Sequence, residues 1–476
     1  MGNKSKFYAH IEAMHDEVTG SCILVSVSFP NGRLVRFLVD CGLYQEKEYD
    51  NLNSKLTFKT ENIDFVLLTH NHVDHTGRLP LLTKDGYEGK IYMSDITSQI
   101  ISPSLNDSYK VLKEKCAYEN RPLIYSVADV YNVINQRVGV EFNETIQIDE
   151  NVKVTFLKNG HLIGAALILV QISCESDNEF MEYDDINLLF TGDYKKDNVF
   201  FDVEDIPKWV KKLPITIIQE STYGDLNSTD VECCFEDNIV QAAKQGKEIL
   251  IPAFSQGRFQ ELLLFLRNMQ EKGLLDTKIP IYLDGKLAFQ FTNLYLRKDL
   301  GLKEECRDFI PDNSCFVDDD FRKKILTDKE PKIIITTSGM ATYGPARTYL
   351  PVMVGRKNAL VHFTGYNAEG TLGRRVLECE DGQEVLIGGM NIIKRAEVKN
   401  TGEFSGHAKA DEMIEFLKGF ENIKFILINH GSTDTKINFM EQVQKEINPK
   451  NIDILDRQYF YRINAYGFLK KIQAKK

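Results

Sequence analysis

Apolar runs along this chain repeatedly stop at a histidine or an aspartate, with a glycine close by. Asp64-Phe65-Val66-Leu67-Leu68-Thr69 reads as a buried strand, and His70-Asn71-His72-Val73-Asp74-His75 follows it directly. Thr76-Gly77-Arg78-Leu79-Pro80-Leu81-Leu82 then predicts the start of a helix that Gly86 closes. The alternating strand Val152–Leu157 leads into Asn159-Gly160-His161, and Leu188-Leu189-Phe190 leads into Thr191-Gly192-Asp193. Phe37-Leu38-Val39 ends at Asp40, and Phe425-Ile426-Leu427-Ile428-Asn429 ends at His430. From about 225 to 390 the pattern becomes helix and strand in alternation. Val231–Gln245, Gln260–Lys272 and Pro345–Val354 are expected helices; Glu248–Pro252, Ile279–Leu283, Lys332–Thr337 and Leu360–Thr364 are expected strands. Short β-rich runs separated by helices predict a parallel α/β sheet. The organisation expected is therefore α/β: residues 1–224 as the first part of an αββα sandwich, 225–390 as an insert, and 391–476 as the sandwich resumed. Ligands from both sides of an insert predict a site in a cleft between domains.

Four potential metal ligands within six positions carry the chemistry. His70 and His72, two apart on extended chain, point to one side, whereas Asp74 and His75 sit on the turn facing the helix N-terminus. One strand–loop–helix corner can thus hold two ions side by side. Six of the nine histidines fall in such settings, His161, His407 and His430 joining the three of the motif. His10 and His15 read as part of a polar N-terminal segment, and His362 as a residue of the strand-like Ala359–Phe363. Imidazole and carboxylate suit zinc, and paired cations need a bridging carboxylate, for which Asp193 is the natural candidate. Asp40 is better placed as an acceptor that orients a ligand or the water.

Composition narrows the class. Hydrophobic content of 43% and charged content of 27% are ordinary for a soluble globular protein. The N-terminal residues are polar and no segment reaches the apolar length of a membrane span, so neither a leader nor an anchor is expected, and Met1-Gly2-Asn3-Lys4-Ser5-Lys6 puts lysine where a myristoylation signal wants serine or threonine. Nine cysteines with no CxxC pair do not form a disulfide framework, so a cytoplasmic home is expected. The net charge of −11 makes the chain acidic, so any grip on nucleic acid is expected to be local. The tail Lys470-Lys471-Ile472-Gln473-Ala474-Lys475-Lys476 reads as a solvated end.

The order Asp40, HxHxDH at 70–75, His161 and Asp193 resembles motifs one to four of the metallo-β-lactamase superfamily. Glu220-Ser221-Thr222-Tyr223-Gly224, Phe404-Ser405-Gly406-His407-Ala408 and Ile428-Asn429-His430-Gly431 resemble motifs A, B and C of its β-CASP branch of nucleases. Ile251–Arg258, Ser338-Gly339-Met340 and Gly365-Tyr366-Asn367-Ala368-Glu369-Gly370-Thr371-Leu372-Gly373-Arg374-Arg375 are also family-like. The likeness is to short bacterial and archaeal RNA-processing exonucleases and to the pre-mRNA 3′-end endonuclease subunit. It implies two Zn²⁺ per chain, one held by His70, His72 and His161 and the other by Asp74, His75 and His430, with Asp193 bridging. It implies hydrolysis of RNA phosphodiesters by a two-metal hydroxide mechanism, with Glu220 and His407 supplying a proton to the departing oxygen and Asp40 in support. Motif C is histidine in RNA-acting members, so His430 favours single-stranded RNA as partner. Endonuclease and 5′-exonuclease both stay open, and a homo-oligomer is compatible with the sequence.

Two other classes share part of the pattern. A small-molecule metallo-hydrolase has motifs one to four but no reason to keep Glu220, His407 and the insert. A noncatalytic processing scaffold loses metal ligands, and none is lost here. Asp284-Gly285-Lys286-Leu287-Ala288 and Ala341-Thr342-Tyr343-Gly344 depart from the family pattern. The segment after His430 is expected to be too short for the extra C-terminal domain of some relatives, and no RNA-binding module is expected before motif one. Arg258, Lys286, Ser338, Arg347, Arg374 and Arg375, all in the insert, are therefore the expected substrate-binding residues, at least two of the cations facing the zinc cleft.

Overall fold

The computed structural model describes residues 7–15, 17–175, 183–365, 367 and 369–474. The N-terminal run Met1–Lys6, Tyr366 and Ala368 of the Gly365–Arg375 motif, and the last two lysines of the tail lie outside the described residues. The chain divides into two compact units: residues 1–198, 203–228 and 407–476 form one, and residues 199–202 and 229–406 the other. Asp40, Glu220 and every expected metal ligand belong to the first unit, as does His407.

The first unit is built on two sheets. One orders its strands Gly467–Gln473, Tyr459–Asn464, Tyr8–Ala13, Ile23–Ser28, Leu34–Val39, Phe65–Leu67, Lys90–Ser94 and Arg137–Val140. The other orders Ile452–Ile454, Ile423–Asn429, Ile215–Glu220, Tyr183–Phe190, Ala166–Glu175, Val152–Lys158 and Thr145–Asp149. Alternate residues of both sheets meet in one core, with Val25, Phe37 and Phe65 packed among Phe156, Ile168, Phe190 and Leu427. Each such fully buried side chain contributes roughly 1.5–3 kcal/mol. Helices cover the outer faces: Leu79, Leu82, Ile101 and Val130 pack on the first sheet, and Met413, Leu417, Phe439 and Val443 on the second. This is the αββα sandwich expected.

The N-terminal segment is not merely polar. Tyr8–Ala13 is a strand whose Ala9, Ile11 and Ala13 point into the core, and His15 after it is fully buried. Helix formation after the HxHxDH motif also starts earlier than expected. Val73–Thr76 is already helical, the chain breaks at Gly77-Arg78, and Leu79–Lys84 resumes before Gly86 turns at φ 97°.

The second unit carries a parallel sheet ordered Ser314–Phe316, Ile281–Asp284, Lys332–Thr336, Glu248–Pro252, Ala359–Phe363 and Glu397–Asn400. On sequence alone the insert closes at residue 390. In the structure Glu397–Asn400 pairs with Leu360–Phe363, so the unit runs on to Gly406. Among the described residues no helix is long and apolar enough to cross a membrane.

Candidate metal centre

Parallel pairing sets the site. The strands Tyr183–Phe190, Ile215–Glu220 and Ile423–Asn429 run in one direction, with Phe190 beside Ile218 and Glu220 beside Asn429. Their C-terminal ends therefore bring Asp193, Glu220 and His430 to one edge. His70 and His161 arrive just beyond Phe65–Leu67 and Val152–Lys158. Two glycines allow the close approach. A side chain at Gly42 would strike the Asp74 carbonyl, its Cβ only 1.5 Å from that oxygen. Gly192, at φ 54°, lies where a Cβ would come within 2.7 Å of Thr69.

Two groups of ligand atoms result, each within 4.8 Å: His70, His72, His161 and Asp193 in one, and Asp74, His75, His430 and Asp193 in the other. Asp193 divides its carboxylate between them. Oδ2 lies 3.5 Å from His70 Nε2 and 3.6 Å from His161 Nε2, while Oδ1 lies 3.1 Å from His75 Nε2 and 3.3 Å from His430 Nε2. Asp74 Oδ2 is 3.9 Å from both His75 and His430.

The donor set fits cations. His75 Nδ1 donates to Asp40 Oδ2 at 2.7 Å, which turns Nε2 toward the cluster; burial pulls His75 down, but Asp193 and Asp40 outweigh it and raise it well above the ordinary imidazole range. His75 Nε2 faces His430 Nε2 at 3.2 Å, and His161 Nε2 faces His72 Nδ1 at 3.1 Å. Four imidazoles gathered around one shared carboxylate offer the nitrogen and oxygen ligands that suit zinc. His70 Nε2 is buried and has no hydrogen-bond partner among the described residues. Burial pushes His70 well below the ordinary imidazole range. Burial alone would raise the Asp193 carboxyl; His430, His75 and His407 outweigh it and hold it well below the usual carboxylate range.

Beside these groups lies a carboxylate–imidazole pair. Glu220, 2% exposed, accepts from His407 Nδ1 at 3.1 Å, from the Tyr194 N–H at 2.5 Å and from the Thr222 N–H at 3.0 Å. Burial pulls His407 down, but Glu220 and Asp193 outweigh it and raise it above the ordinary value. Its Nε2 points back toward the metal groups, 3.9 Å from Asp193 Oδ2.

Several bracing residues carry no sequence signal of their own. Thr69 donates to both Asp40 oxygens through its N–H and hydroxyl. Asn159 donates to the Thr191 and Asp193 carbonyls and accepts from the His161 N–H, tying two ligand turns together. The Thr222 hydroxyl lies 3.1 Å from His430 Nδ1. Threonine and asparagine occur in every loop, so only their position after apolar strands could have marked them.

Residues 31–187 match a metallo-β-lactamase superfamily domain, 259–376 a Beta-Casp domain, and 391–455 a Zn-dependent metallo-hydrolase RNA specificity domain. Ribonuclease TTHA0252 of Thermus thermophilus is 30% identical over 433 residues, which cover 88% of this chain and 91% of that protein. The chain belongs to the β-CASP branch of the metallo-β-lactamase superfamily. Transcription termination factor FttA of Methanosarcina mazei is 29% identical over 460 residues, covering 90% of this chain and 68% of the factor. Integrator complex subunit 11 of Gallus gallus is 26% identical over 441 residues, covering 90% and 69%. The fold class and the metallo-hydrolase family expected from the motifs are thereby established.

The expected substrate residues belong to the second unit. The strands preceding them are parallel and end in register at Pro252, Thr336 and Asp284, so Arg258, Ser338 and Lys286 follow one edge of that sheet. Arg258 is engaged within its own unit: it reaches Thr364 O, pairs with Glu261 and lies over the Phe404 ring at 5.5 Å. Arg374 pairs with Glu378 one turn on, and Arg375 donates to Leu386 O. Lys286 and Arg347 are exposed.

Proposed function

We propose that this β-CASP protein is a zinc-dependent ribonuclease that hydrolyses single-stranded RNA. His70, His72 and His161 would hold one ion, Asp74, His75 and His430 the other, and Asp193 would contribute one oxygen to each. Bound there, the ions supply the positive charge that acidifies a water and offsets the phosphate's negative charge. Asp40 fixes the tautomer and tilt of His75 and so acts through it as a positioning residue. Glu220 keeps His407 protonated and aimed inward. His407 then gives its Nε2 proton to the departing 3′ oxygen, so that products carry 5′-phosphate and 3′-hydroxyl ends.

One observation supports the nuclease reading above all: His407 is held by Glu220 on one nitrogen and faces the Asp193 carboxylate with the other. A small-molecule hydrolase built on the metals alone has no use for that pair. His430 supports RNA over DNA, and the ribonuclease among the relatives points the same way. The test is digestion of one RNA labelled at either end, with zinc, by the wild type and by Asp74→Ala. We expect metal-dependent cleavage that the variant abolishes, and the labelled ends distinguish internal cuts from stepwise removal at the 5′ end. Undiminished cleavage by Asp74→Ala, or preference for DNA, overturns the proposal.

A further inference from the structure

The eight-stranded sheet carries a row of outward side chains that the metal pocket does not use. Lys470, Arg462, His10, Ser26 and Arg36 stand opposite one another across five neighbouring strands. Their chain neighbours Ala9, Ile11, Val25, Val27, Val35, Phe37, Tyr461 and Ile463 are buried in the core, so the row itself faces out. Four inter-strand spacings make the row about 19 Å long. Rings flank it. His10 lies 5.0 Å from Tyr8 and 4.9 Å from Phe460, centroid to centroid. The Arg462 guanidinium sits 4.1 Å from the centre of the Tyr8 ring, and its Nε–H donates to His10 Nε2 at 2.7 Å. Burial, then Arg462 and Lys470, hold His10 down to about 4, which makes it a neutral ring at neutral pH.

The helices on this sheet pack over its other end, against Val66, Leu68, Ile91 and Met93. Tyr8, His10, Phe460 and Arg462 keep part of their surface exposed. Three cations mark the row. Carboxylates stand at its margins: Glu12 opposite Phe460, and Asp64, which accepts from the Arg36 N–H. The positive charge is thus concentrated at the Arg462–Lys470 end, in a chain whose net charge is −11. Rings beside cations on an open sheet face match unpaired bases and a phosphate backbone, since bases stack on rings regardless of sequence.

We propose that this face holds single-stranded RNA outside the metal pocket, bases stacking on Tyr8 and Phe460 while Arg462 and Lys470 meet the phosphates. The proposal rests on the ribonuclease reading for its choice of RNA. It is tested with the full chain by fluorescence anisotropy of a fluorescein-labelled, unstructured RNA 20-mer in EDTA, where no cleavage occurs. Phe460→Ala should weaken binding roughly ten-fold. Arg462→Gln with Lys470→Gln should weaken it and flatten the dependence of log Kd on log salt by about 1.4, two phosphate contacts' worth. This second variant leaves the rings in place and serves should Phe460→Ala fail to fold. Zinc content and cleavage rate at saturating RNA should not change in either. Wild-type affinity and salt slope in the Arg462/Lys470 variant overturn the proposal, whatever the cleavage assay shows. So does a variant that binds RNA normally but sediments differently, for the face is then a contact between copies. A wild type that binds through this face yet cleaves nothing would sink the ribonuclease reading alone.

Discussion

In each unit parallel strands end along one edge of its own sheet, yet the two treat buried charge in opposite ways. In the second unit every buried ionic group named here meets its complement within the chain. Asp284, at the end of Ile281–Asp284, takes the Arg322 fork at 2.6 and 2.9 Å and the Tyr349 hydroxyl at 2.8 Å. Lys332, fully buried, meets Glu248 at 3.1 Å and the Asp328 carbonyl at 2.6 Å. His362 is satisfied as a neutral ring, Nδ1 donating to Phe363 O and Nε2 accepting from Asn238. At the edge of the first unit one carboxylate, Asp193, is shared among His70, His75, His161 and His430, and imidazole nitrogens crowd one another, His75 against His430 and His161 against His72. Burial and titratable side chains are common to both regions. What separates a reactive site from a structural one is whether the chain supplies the opposite charge.

Asp193→Ala should have the largest effect, since it removes the carboxylate shared by both groups. We expect bound zinc to fall below one ion per chain by mass spectrometry and RNA cleavage to drop by at least about 10⁴-fold. His407→Ala should cost about 10²–10⁴-fold in turnover while both ions stay. Loss of an ion instead would make His407 a ligand and erase the line drawn between the metal groups and the acid.

Breaking a satisfied pair in the second unit should cost stability and no chemistry. Arg322→Ala strands the Asp284 carboxylate and should lower stability to urea by about 3–5 kcal/mol, with zinc content unchanged. His362 sharpens the contrast through pH. Unfolded, its imidazole takes a proton as pH falls through about 6.5; folded, burial delays this to about 4. Its stabilising contribution is therefore whole above about 6.5 and is lost as pH falls toward 4, at up to about 1.4 kcal/mol per pH unit. Calorimetry from pH 7 to 5 should show that slope reduced in His362→Phe.

The sequence is most legible where a strand ends in a residue of the candidate site. Asp40, the HxHxDH run, His161, Asp193 and His430 stand out because apolar residues lead into each one. His362 reads correctly as a strand residue for the same reason. The bracing hydroxyls and amides of Thr69, Thr222 and Asn159 do not stand out, because their roles depend on strands that become neighbours only on folding. Tyr8–Ala13 escapes notice since His10 and Glu12 interrupt its small apolar residues, although the alternation is there. Glu397–Asn400 escapes because its side chains are mostly exposed, and only its pairing with Leu360–Phe363 makes it a strand.

His75 and His430 meet at 3.2 Å across 355 positions of chain. At a synthesis rate of about 5–20 residues per second, the first of them leaves the ribosome roughly 20–70 s before its partner. Throughout that interval the nascent chain holds the HxHxDH motif without His430, which completes the second group of the proposed site. The proposed nuclease is therefore born disarmed. A polypeptide that grows beside the messenger encoding it would gain the proposed cutting edge only after the codon for His430 has been read.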